Sequence, residues 1–170
     1  LPNPKLNVFP IKEVADIGRE LGGPLIVDNT AAPSICRPLD HGAAVVMYST
    51  TKYLTGNGTS IGGIMIDGGN FDWEANKERF PTLNEPDPSY HGAVWTEAAK
   101  PLGPIAYILR ARVVLLRDLG ACMSPFNAFQ TIQGLETMPL RMERHCENGE
   151  KVASYLSQHK KISHAIHPSL

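Results

Sequence analysis

Apolar and polar positions along the first third of the chain predict one helix followed by three strands. After Pro10, apolar residues recur every three or four positions from Ile11 to Leu21, which is the spacing of one helical face, and Gly22-Gly23 ends the pattern. Short apolar runs typical of buried strands follow at Leu25–Val27, Ala43–Met47 and Gly63–Ile66. A helix and strands joined by short connections predict an α/β domain with a largely parallel sheet.

The rest of the chain predicts mostly helix after an irregular segment. Residues 67–104 are rich in glycine and proline, and we expect either a folded excursion or a poorly ordered loop. Helices are predicted over 105–119, 126–135 and 140–159, with Gly120 and Gly134 as stops, and a further strand over 162–166. The last helix is expected to bury a stripe made of Met142, His145, Cys146, Val152, Tyr155 and Leu156.

Two of the predicted strands end in polar clusters, Asp28-Asn-Thr30 and Ser49-Thr-Thr-Lys52. Reactive groups in such sheets gather at the carboxyl ends of the strands, so both clusters are expected at one edge. The amine of Lys52 can condense with an aldehyde, and the hydroxyls of Ser49 and Thr51 can receive a phosphate. The carboxylate of Asp28 can pair with a protonated ring nitrogen. These residue types predict a site for a phosphorylated pyridine aldehyde.

Other interpretations of these residues stay open on the sequence alone. Asp28 and Thr30 are also residues that cap turns. Glycines near Lys52 permit close backbone approach but are equally common in loops. Tyr48-x-x-x-Lys52 has the spacing of the tyrosine and lysine of short-chain dehydrogenases, although the sequence holds no glycine-rich dinucleotide turn after a strand.

Composition narrows the class of protein. The 170 residues carry a formal net charge of −1 and 42% hydrophobic residues, which gives no charge pattern for nucleic acid or an anionic membrane surface. No apolar run reaches the length of a membrane span. The three cysteines and six histidines lack metal-ligand spacing, so no metal site is expected, and the odd cysteine count suits a reducing cytosol. The start Leu1-Pro-Asn-Pro lacks Met and a signal pattern, so we expect an interior piece of a longer protein.

Sequence blocks along nearly the whole chain resemble the cystathionine γ-synthase-like family of pyridoxal-phosphate enzymes of cysteine and methionine metabolism. The blocks are Asn3-Pro-Lys-Leu-Asn7, Ile26-Val-Asp-Asn-Thr30, Ser49-x-Thr-Lys-Tyr53, Gly58-Thr-Ser-Ile-Gly-Gly63, Pro88-Ser-Tyr-His-Gly92, Leu115-Leu-Arg-Asp-Leu-Gly120, Ser124-Pro-Phe-Asn-Ala-Phe129, Gln133-Gly-Leu-Glu-Thr137 and Leu140-Arg-Met-Glu-Arg-His145. The fifth and seventh resemble the sulfhydrylase branch of the family more than its lyases. Two positions depart from the family pattern: Asn57, where histidine is common, and Ala31-Ala-Pro33.

The resemblance implies a fold and a set of cofactor contacts. The fold is the large domain of a fold-type I pyridoxal-phosphate transferase, with residues 1–134 as the second part of the cofactor-binding domain. Residues 135–170 would form a connecting helix and the start of a C-terminal domain. Lys52 would carry pyridoxal 5'-phosphate, and the other implied cofactor contacts are Asp28 at the ring nitrogen, Ser49 and Thr51 at the phosphate, Thr30 beside Asp28 or the ring, and Asn3.

The implied reaction is γ-replacement in methionine biosynthesis. O-acetyl-L-homoserine and sulfide, or a thiol, would give L-homocysteine, or its S-alkyl analogue, and acetate in a cytoplasmic homotetramer. The cystathionine γ-synthase and methionine γ-lyase reactions of the same family are the alternatives. Members of the family are more than twice as long as this chain, so an inactive fragment that lacks the rest of the active site is a further alternative.

Overall fold

The computed structural model describes residues 7–170, and the helix predicted after Pro10 is present. Helix α1 spans Ile11–Glu20. Gly22 adopts a φ of +69°, and the N–H of Gly23 donates to the carbonyl of Gly18 at 2.7 Å. This left-handed turn closes the helix, as the glycine pair predicts.

Three strands form one sheet in the order β1-β2-β3: β1 is Ile26–Asp28, β2 is Val45–Ser49 and β3 is Gly63–Asp67. The predicted strands and the α/β class are confirmed. The sheet is mixed, because β1 and β2 are parallel while β2 and β3 are antiparallel. The N–H of Thr50 donates to the carbonyl of Gly62 at 3.0 Å, which ties the end of β2 to the start of β3 and reverses the chain.

The irregular segment after β3 is folded, so its interpretation as a poorly ordered loop is wrong. It contains short helices at Lys77–Arg79, Pro81–Asn84 (α2), Pro88–Tyr90, Trp95–Ala99 (α3) and Lys100–Leu102. Its aromatic side chains make up much of the core, where Phe71, Trp73 and Trp95 are buried. Trp73 stacks on Tyr107 with ring centroids 5.1 Å apart. Large buried aromatic surfaces of this kind stabilise a segment that has little regular structure of its own.

The helix predicted over 105–119 is confirmed, and the next two predicted helices are one. Helix α4 spans Ala106–Arg110 and continues as a π-helix over Ala111–Asp118, before Gly120 at a φ of +66°. Helix α5 is continuous over Pro125–Ser157, so the prediction that Gly134 stops a helix is wrong. Gly134 lies in the helix interior, where any Cβ would overlap the main chain of Thr55. Its role is close packing.

Two expectations for the C-terminal part are also wrong. Of the predicted stripe on α5, Met142 is buried, but Val152 and Tyr155 are 56% and 65% exposed. Residues 162–166 form no strand. Helix α5 runs through residue 134 without a break, and the division of the chain there stays a prediction. No helix within residues 7–170 combines the length and the apolar character needed to cross a membrane.

Candidate active site

The parallel pairing of β1 and β2 brings the two polar clusters together at one edge of the sheet. Asp28 is in register with Met47, and the N–H of Asn29 donates to the carbonyl of Met47 at 2.9 Å. Just beyond the strand ends, the hydroxyl of Thr30 accepts a hydrogen bond from the N–H of Ser49 at 2.7 Å. The predicted meeting of the clusters is therefore present.

Asp28 both shapes its own turn and keeps a carboxylate oxygen available. Its Oδ1 accepts from the N–H of Thr30 at 2.9 Å, the turn geometry expected of Asp before a reversal of the chain. Its Oδ2 accepts no hydrogen bond from the described residues, and the side chain is exposed. Paired residues in a sheet point to the same side, so Asp28 and Ser49 lie on the sheet face that also carries Met47.

Lys52 lies in a short π-helical segment, Thr50–Leu54, that we call the lysine turn. The turn is closed by hydrogen bonds from the N–H of Thr55 to the carbonyl of Thr50 (3.0 Å) and from the N–H of Gly56 to that of Lys52 (2.9 Å). Lys52 itself departs from helical geometry, with φ −90° and ψ −122°. Its side chain is exposed and forms no ion pair with any residue in the described part of the chain. The amine is therefore available for reaction.

The hydroxyls beside Lys52 differ in how they are engaged. The Ser49 side chain is half-buried, and its hydroxyl forms no hydrogen bond within residues 7–170. The hydroxyl of Thr51 accepts from the N–H of Gly62 at 3.1 Å and donates to its carbonyl at 3.3 Å. Thr50, which the sequence does not single out, is buried, and its hydroxyl has no partner among the described residues. Ser49 is thus the better placed phosphate donor, and Thr51 would have to exchange its bond to Gly62.

Asn29 holds the loop after β1 and was not predicted as a site residue. The side chain is buried, and its amide nitrogen donates to the carbonyls of Ala32 (3.2 Å) and Cys36 (2.9 Å). The same nitrogen lies 3.1 Å from the hydroxyl of Tyr48 on β2. The Tyr48 hydroxyl is thereby part of a structural network. Asn29 lies between two residues of the first polar cluster, and that position is the only sequence signal that marks it.

Helix α5 packs against the back of the lysine turn, a contact that sequence reasoning missed. The hydroxyls of Thr55 and Thr131 lie 3.0 Å apart in a buried contact. The guanidinium of Arg141 donates to main-chain carbonyls of the turn, and the rings of Tyr53 and His145 meet edge to face at 5.3 Å. Thr131, Gly134, Arg141 and His145 recur at helical spacing, which is the signal that would have identified this face.

One predicted cofactor contact, Asn3, and two other positions of the family pattern remain. Asn3 lies outside the described residues. Asn57 is exposed between Gly56 and Gly58, which both have positive φ. His91, which follows Tyr90 in the excursion, is exposed and has a φ of +57°. Within residues 7–170, no group of three or more acidic, histidine or cysteine side chains is arranged to hold a metal ion.

The residues at this sheet edge fit a phosphorylated pyridine aldehyde. Lys52 offers a free amine, Asp28 a carboxylate oxygen without a partner among the described residues, and Ser49 a hydroxyl in the same condition. An amine, a carboxylate and a phosphate donor are the groups that such a cofactor requires. The donor set is therefore complete for covalent attachment, ring contact and one phosphate contact.

Comparison with known proteins shows the family to which the chain belongs. The family model of the PLP-dependent enzymes of Cys/Met metabolism matches residues 1–170. The chain is 51% identical to the O-acetyl-L-homoserine sulfhydrylase of Leptospira meyeri, and the alignment covers 100% of this chain and 39% of that protein. It is 45% identical to the homocysteine synthase of Schizosaccharomyces pombe, over 99% of this chain and 39% of that protein. The chain thus spans about two fifths of the length of these relatives.

Solved structures give the same result. The Campylobacter jejuni protein described as an O-acetylhomoserine (thiol)-lyase, solved with N'-pyridoxyl-lysine-5'-monophosphate, matches with a TM-score of 0.88 and 37% identity. That match covers 100% of this chain and 41% of the other. The O-acetylhomoserine sulfhydrylase of Wolinella succinogenes matches with a TM-score of 0.78 and 33% identity, over 100% of this chain and 44% of that one.

The family match decides against the dehydrogenase interpretation. It extends over the whole chain, whereas the dehydrogenase interpretation depended on the spacing of Tyr48 and Lys52 alone. The predicted family and its cofactor are confirmed. The chain belongs to the pyridoxal-phosphate-dependent enzymes of cysteine and methionine metabolism.

Proposed function

We propose that the protein catalyses a pyridoxal-phosphate-dependent γ-replacement in methionine biosynthesis. O-acetyl-L-homoserine and sulfide, or a thiol, are converted to L-homocysteine, or its S-alkyl analogue, and acetate. The observation that carries the proposal is the 51% identity, across the whole chain, to a protein described as an O-acetyl-L-homoserine sulfhydrylase. The chain spans 39% of that relative, so the proposal concerns the protein at the length its gene encodes.

Each residue of the sheet edge has a distinct role in this proposal. The amine of Lys52 binds the aldehyde carbon of the cofactor covalently. The carboxylate of Asp28 keeps the pyridine nitrogen protonated, and the N–H of Thr30 fixes the orientation of that carboxylate through its 2.9 Å bond to Oδ1. The hydroxyls of Ser49 and Thr51 donate to the phosphate, in hydrogen bonds that the negative charge strengthens. Asn3 is proposed as a further cofactor contact.

The chemistry divides between the cofactor and the chain. When bound, pyridoxal phosphate supplies an electron sink that stabilises negative charge on the substrate carbons. With the cofactor in place, the Lys52 amine would move protons at the substrate Cα and Cβ as a general base and acid. Acetate leaves from the substrate Cγ, and the sulfur nucleophile adds to that carbon. Positioning by the sheet edge keeps the lysine within reach of both carbons.

The broader setting is part of the same proposal. The protein works on small molecules in the cytoplasm as a homotetramer, without a nucleic-acid or membrane partner. Residues 1–134 complete a cofactor-binding domain, and residues 135–170 lead into a second, C-terminal domain. Support for this arrangement comes from the resemblance to longer proteins of the family, of which this chain spans about two fifths.

Substrate profiling tests the proposed reaction. The purified protein, at its encoded length and supplied with pyridoxal phosphate, is given O-acetyl-L-homoserine with sulfide, the same ester with L-cysteine, and L-methionine alone. We expect sulfide-dependent homocysteine formation that a Lys52→Ala variant loses by at least about a hundredfold, because the amine is both the attachment point and the base. Preferred formation of cystathionine, or of methanethiol from methionine, would assign the protein to another branch of the family.

A further inference from the structure

One side chain of helix α5 fixes the lysine turn from behind. The guanidinium of Arg141 donates to the carbonyl of Tyr53 at 2.8 Å and to the carbonyl of Leu54 at 3.4 Å. It also donates to the carbonyl of Gly134 at 2.8 Å and, through Nε, to the hydroxyl of Thr137 at 3.2 Å. These four hydrogen bonds tie the guanidinium to the helix on one side and to the turn on the other.

The carbonyls that Arg141 reaches are acceptors that the turn cannot satisfy itself. The last carbonyls of a helical segment have no donor inside that segment. In the lysine turn the helical geometry is interrupted before the segment ends, because Lys52 has a non-helical ψ of −122°. A guanidinium presents its N–H groups as a planar fork, which suits two neighbouring oxygens. Arg141 therefore supplies donors directly after the residue that carries the amine.

Two glycines leave the space that this contact requires. Gly56, at a φ of +77°, lies so close to the Arg141 guanidinium that any Cβ would overlap it. Gly134 lies so close to the main chain of Thr55 that a Cβ would overlap there as well. The adjacent hydroxyl contact between Thr55 and Thr131 is buried. Helix α5 and the lysine turn thus pack with their main chains in contact, and Arg141 lies at this contact.

The charge of Arg141 has no carboxylate partner within residues 7–170. Its neighbour Arg144 differs, since it is exposed and pairs with Glu147 at 3.4 Å on the same helix. Arg141 is half-buried, and its hydrogen bonds to main-chain carbonyls stabilise the conformation of that main chain. The two carbonyls of the turn belong to the residues that follow Lys52 directly.

We infer that Arg141 is a positioning residue for Lys52, a role that deepens the proposed function and rests on it. The arginine acts through the main chain of the lysine turn and has no assigned contact with cofactor or substrate. Proton transfer and covalent attachment both depend on where the lysine amine lies, and a displacement of about 1 Å can cost about a hundredfold in rate. Without the guanidinium of Arg141, the lysine turn loses these hydrogen bonds and the amine of Lys52 is no longer held in one position.

The test compares Arg141→Ala and Arg141→Lys with Arg144→Ala as the matched control, in the protein at its encoded length loaded with pyridoxal phosphate. Four quantities are measured: kcat and KM for O-acetyl-L-homoserine, the pH midpoint of the visible absorption of the lysine-bound cofactor, and the melting temperature. We expect Arg141→Ala to lower kcat about ten- to a hundredfold with little change in KM, as supporting residues around a reactive group typically do. The pH midpoint should move, and added guanidinium chloride at millimolar concentration should restore part of kcat.

The control and the conservative variant separate positioning from folding. Arg144→Ala should match the wild type in all four quantities. Arg141→Lys keeps the charge but not the fork, so it should melt near the wild type while losing part of kcat and shifting the pH midpoint. If Arg141→Ala does not fold, the test depends on Arg141→Lys. Wild-type kcat and pH midpoint in Arg141→Lys would then overturn the inference. Wild-type kcat and pH midpoint in a folded Arg141→Ala would overturn it too.

Failure of the inference is distinguishable from failure of the proposed function. Borohydride reduction of the wild type should attach a pyridoxyl group to Lys52 before any variant is considered. Without that adduct the proposed function fails, and the role of Arg141 fails with it. With the adduct present and the Arg141 variants unaltered, only the positioning role is wrong.

Discussion

At the scale of single residues, one hydroxyl joins the two strand ends that carry the candidate site. Thr30 accepts the N–H of Ser49 through its side chain and donates its own N–H to the carboxylate of Asp28. The sequence predicted Thr30 beside Asp28, because turn chemistry is local. The sequence could not predict the hydrogen bond between Thr30 and Ser49, since the residues of a strand do not show which strand pairs with it.

Replacing Thr30 by valine should destabilise the fold. Valine keeps the shape of threonine but leaves the N–H of Ser49 without its acceptor. An unsatisfied donor costs about 1–3 kcal/mol, and the half-buried position favours the lower end because water reaches it. Chemical denaturation measures the loss, and Thr30→Ser, which keeps the hydroxyl, is the control. Equal stability of the two variants would contradict the role given to this bond.

Asp87 gives a pH-dependent prediction outside the site. Hydrogen bonds from Ser89 (2.6 Å from the hydroxyl, 2.9 Å from the N–H) and from the indole of Trp95 (2.9 Å) hold the pKa of the Asp87 carboxyl below its usual value. A carboxyl with a lowered pKa stabilises the fold above its unfolded pKa of about 3.9, and that stability is lost as the pH falls through the folded pKa. Asp87→Asn should therefore be less stable than the wild type near neutral pH, and the difference should shrink in acid.

Thermal unfolding over a pH series from about 7 to about 3 checks this expectation across the ordinary carboxyl range. Asp16→Asn is the matched control, because Asp16 is an exposed carboxylate that pairs with Lys12 on α1. Surface pairs of this kind contribute about 0–1 kcal/mol, so the control should follow the wild type closely. A destabilisation by Asp87→Asn that stays constant down to the lowest pH would show that the carboxylate charge is not involved.

At the scale of elements, the sequence predicts elements well where the signal is local and fails where it is not. Helix α1 and the three strands follow from periodicity and from glycine stops. The break at Gly134 was wrong because a glycine that ends a helix and a glycine that admits a neighbour look the same in sequence. The neighbour, Thr55, is distant along the chain. The antiparallel pairing of β3 was missed because it, too, involves a contact between residues that are apart in the sequence, here Thr50 and Gly62.

The packing role of Gly134 gives a stability prediction with an internal control. Alanine gains up to about 1 kcal/mol of helix propensity over glycine. Overpacking costs about 1–3 kcal/mol, and here the overlap is with the main chain of Thr55, which cannot move aside easily. Gly134→Ala should therefore be net destabilising. Gly149→Ala on the same helix, where the nearest atom to a Cβ is 3.7 Å away, should be neutral or stabilising.

Denaturant unfolding of both variants measures this difference. Opposite signs for Gly134→Ala and Gly149→Ala support the close approach of α5 to the lysine turn. A gain in stability at both positions would mean that helix propensity alone governs α5 and that the contact is loose.

At the scale of the whole molecule, much of the apolar surface of the described residues is open. Exposed apolar side chains lie on α5, where Phe126, Phe129 and Ile132 are 66%, 57% and 58% exposed, and on β3, where Ile64 is 48% exposed. Extended apolar surfaces of this kind are typical of contact regions. The family was predictable from sequence blocks, but which apolar surfaces are contact regions was not, because the partner of a surface leaves no signal in the residues of that surface.

The 170-residue chain expressed alone should therefore associate and expose apolar surface. We expect it to elute above its monomer mass of 18.5 kDa in size exclusion and to bind an apolar fluorescent dye more strongly than the protein at its encoded length. It should also bind pyridoxal phosphate weakly, since the Thr51 hydroxyl is engaged with Gly62 and leaves Ser49 as the available phosphate contact of the two. A monomeric, dye-silent chain that retains the cofactor would contradict this view of the molecule.

The central claim is that Lys52 carries the cofactor, and peptide mapping by mass spectrometry after borohydride reduction tests it most directly. The protein at its encoded length is incubated with pyridoxal phosphate, reduced, digested and mapped, beside a Lys52→Arg variant that keeps the charge but cannot form the link. The account predicts a reduced pyridoxyl group on the peptide that contains Lys52, and its loss in the variant. An adduct on another lysine, or none in the wild type, would contradict the account.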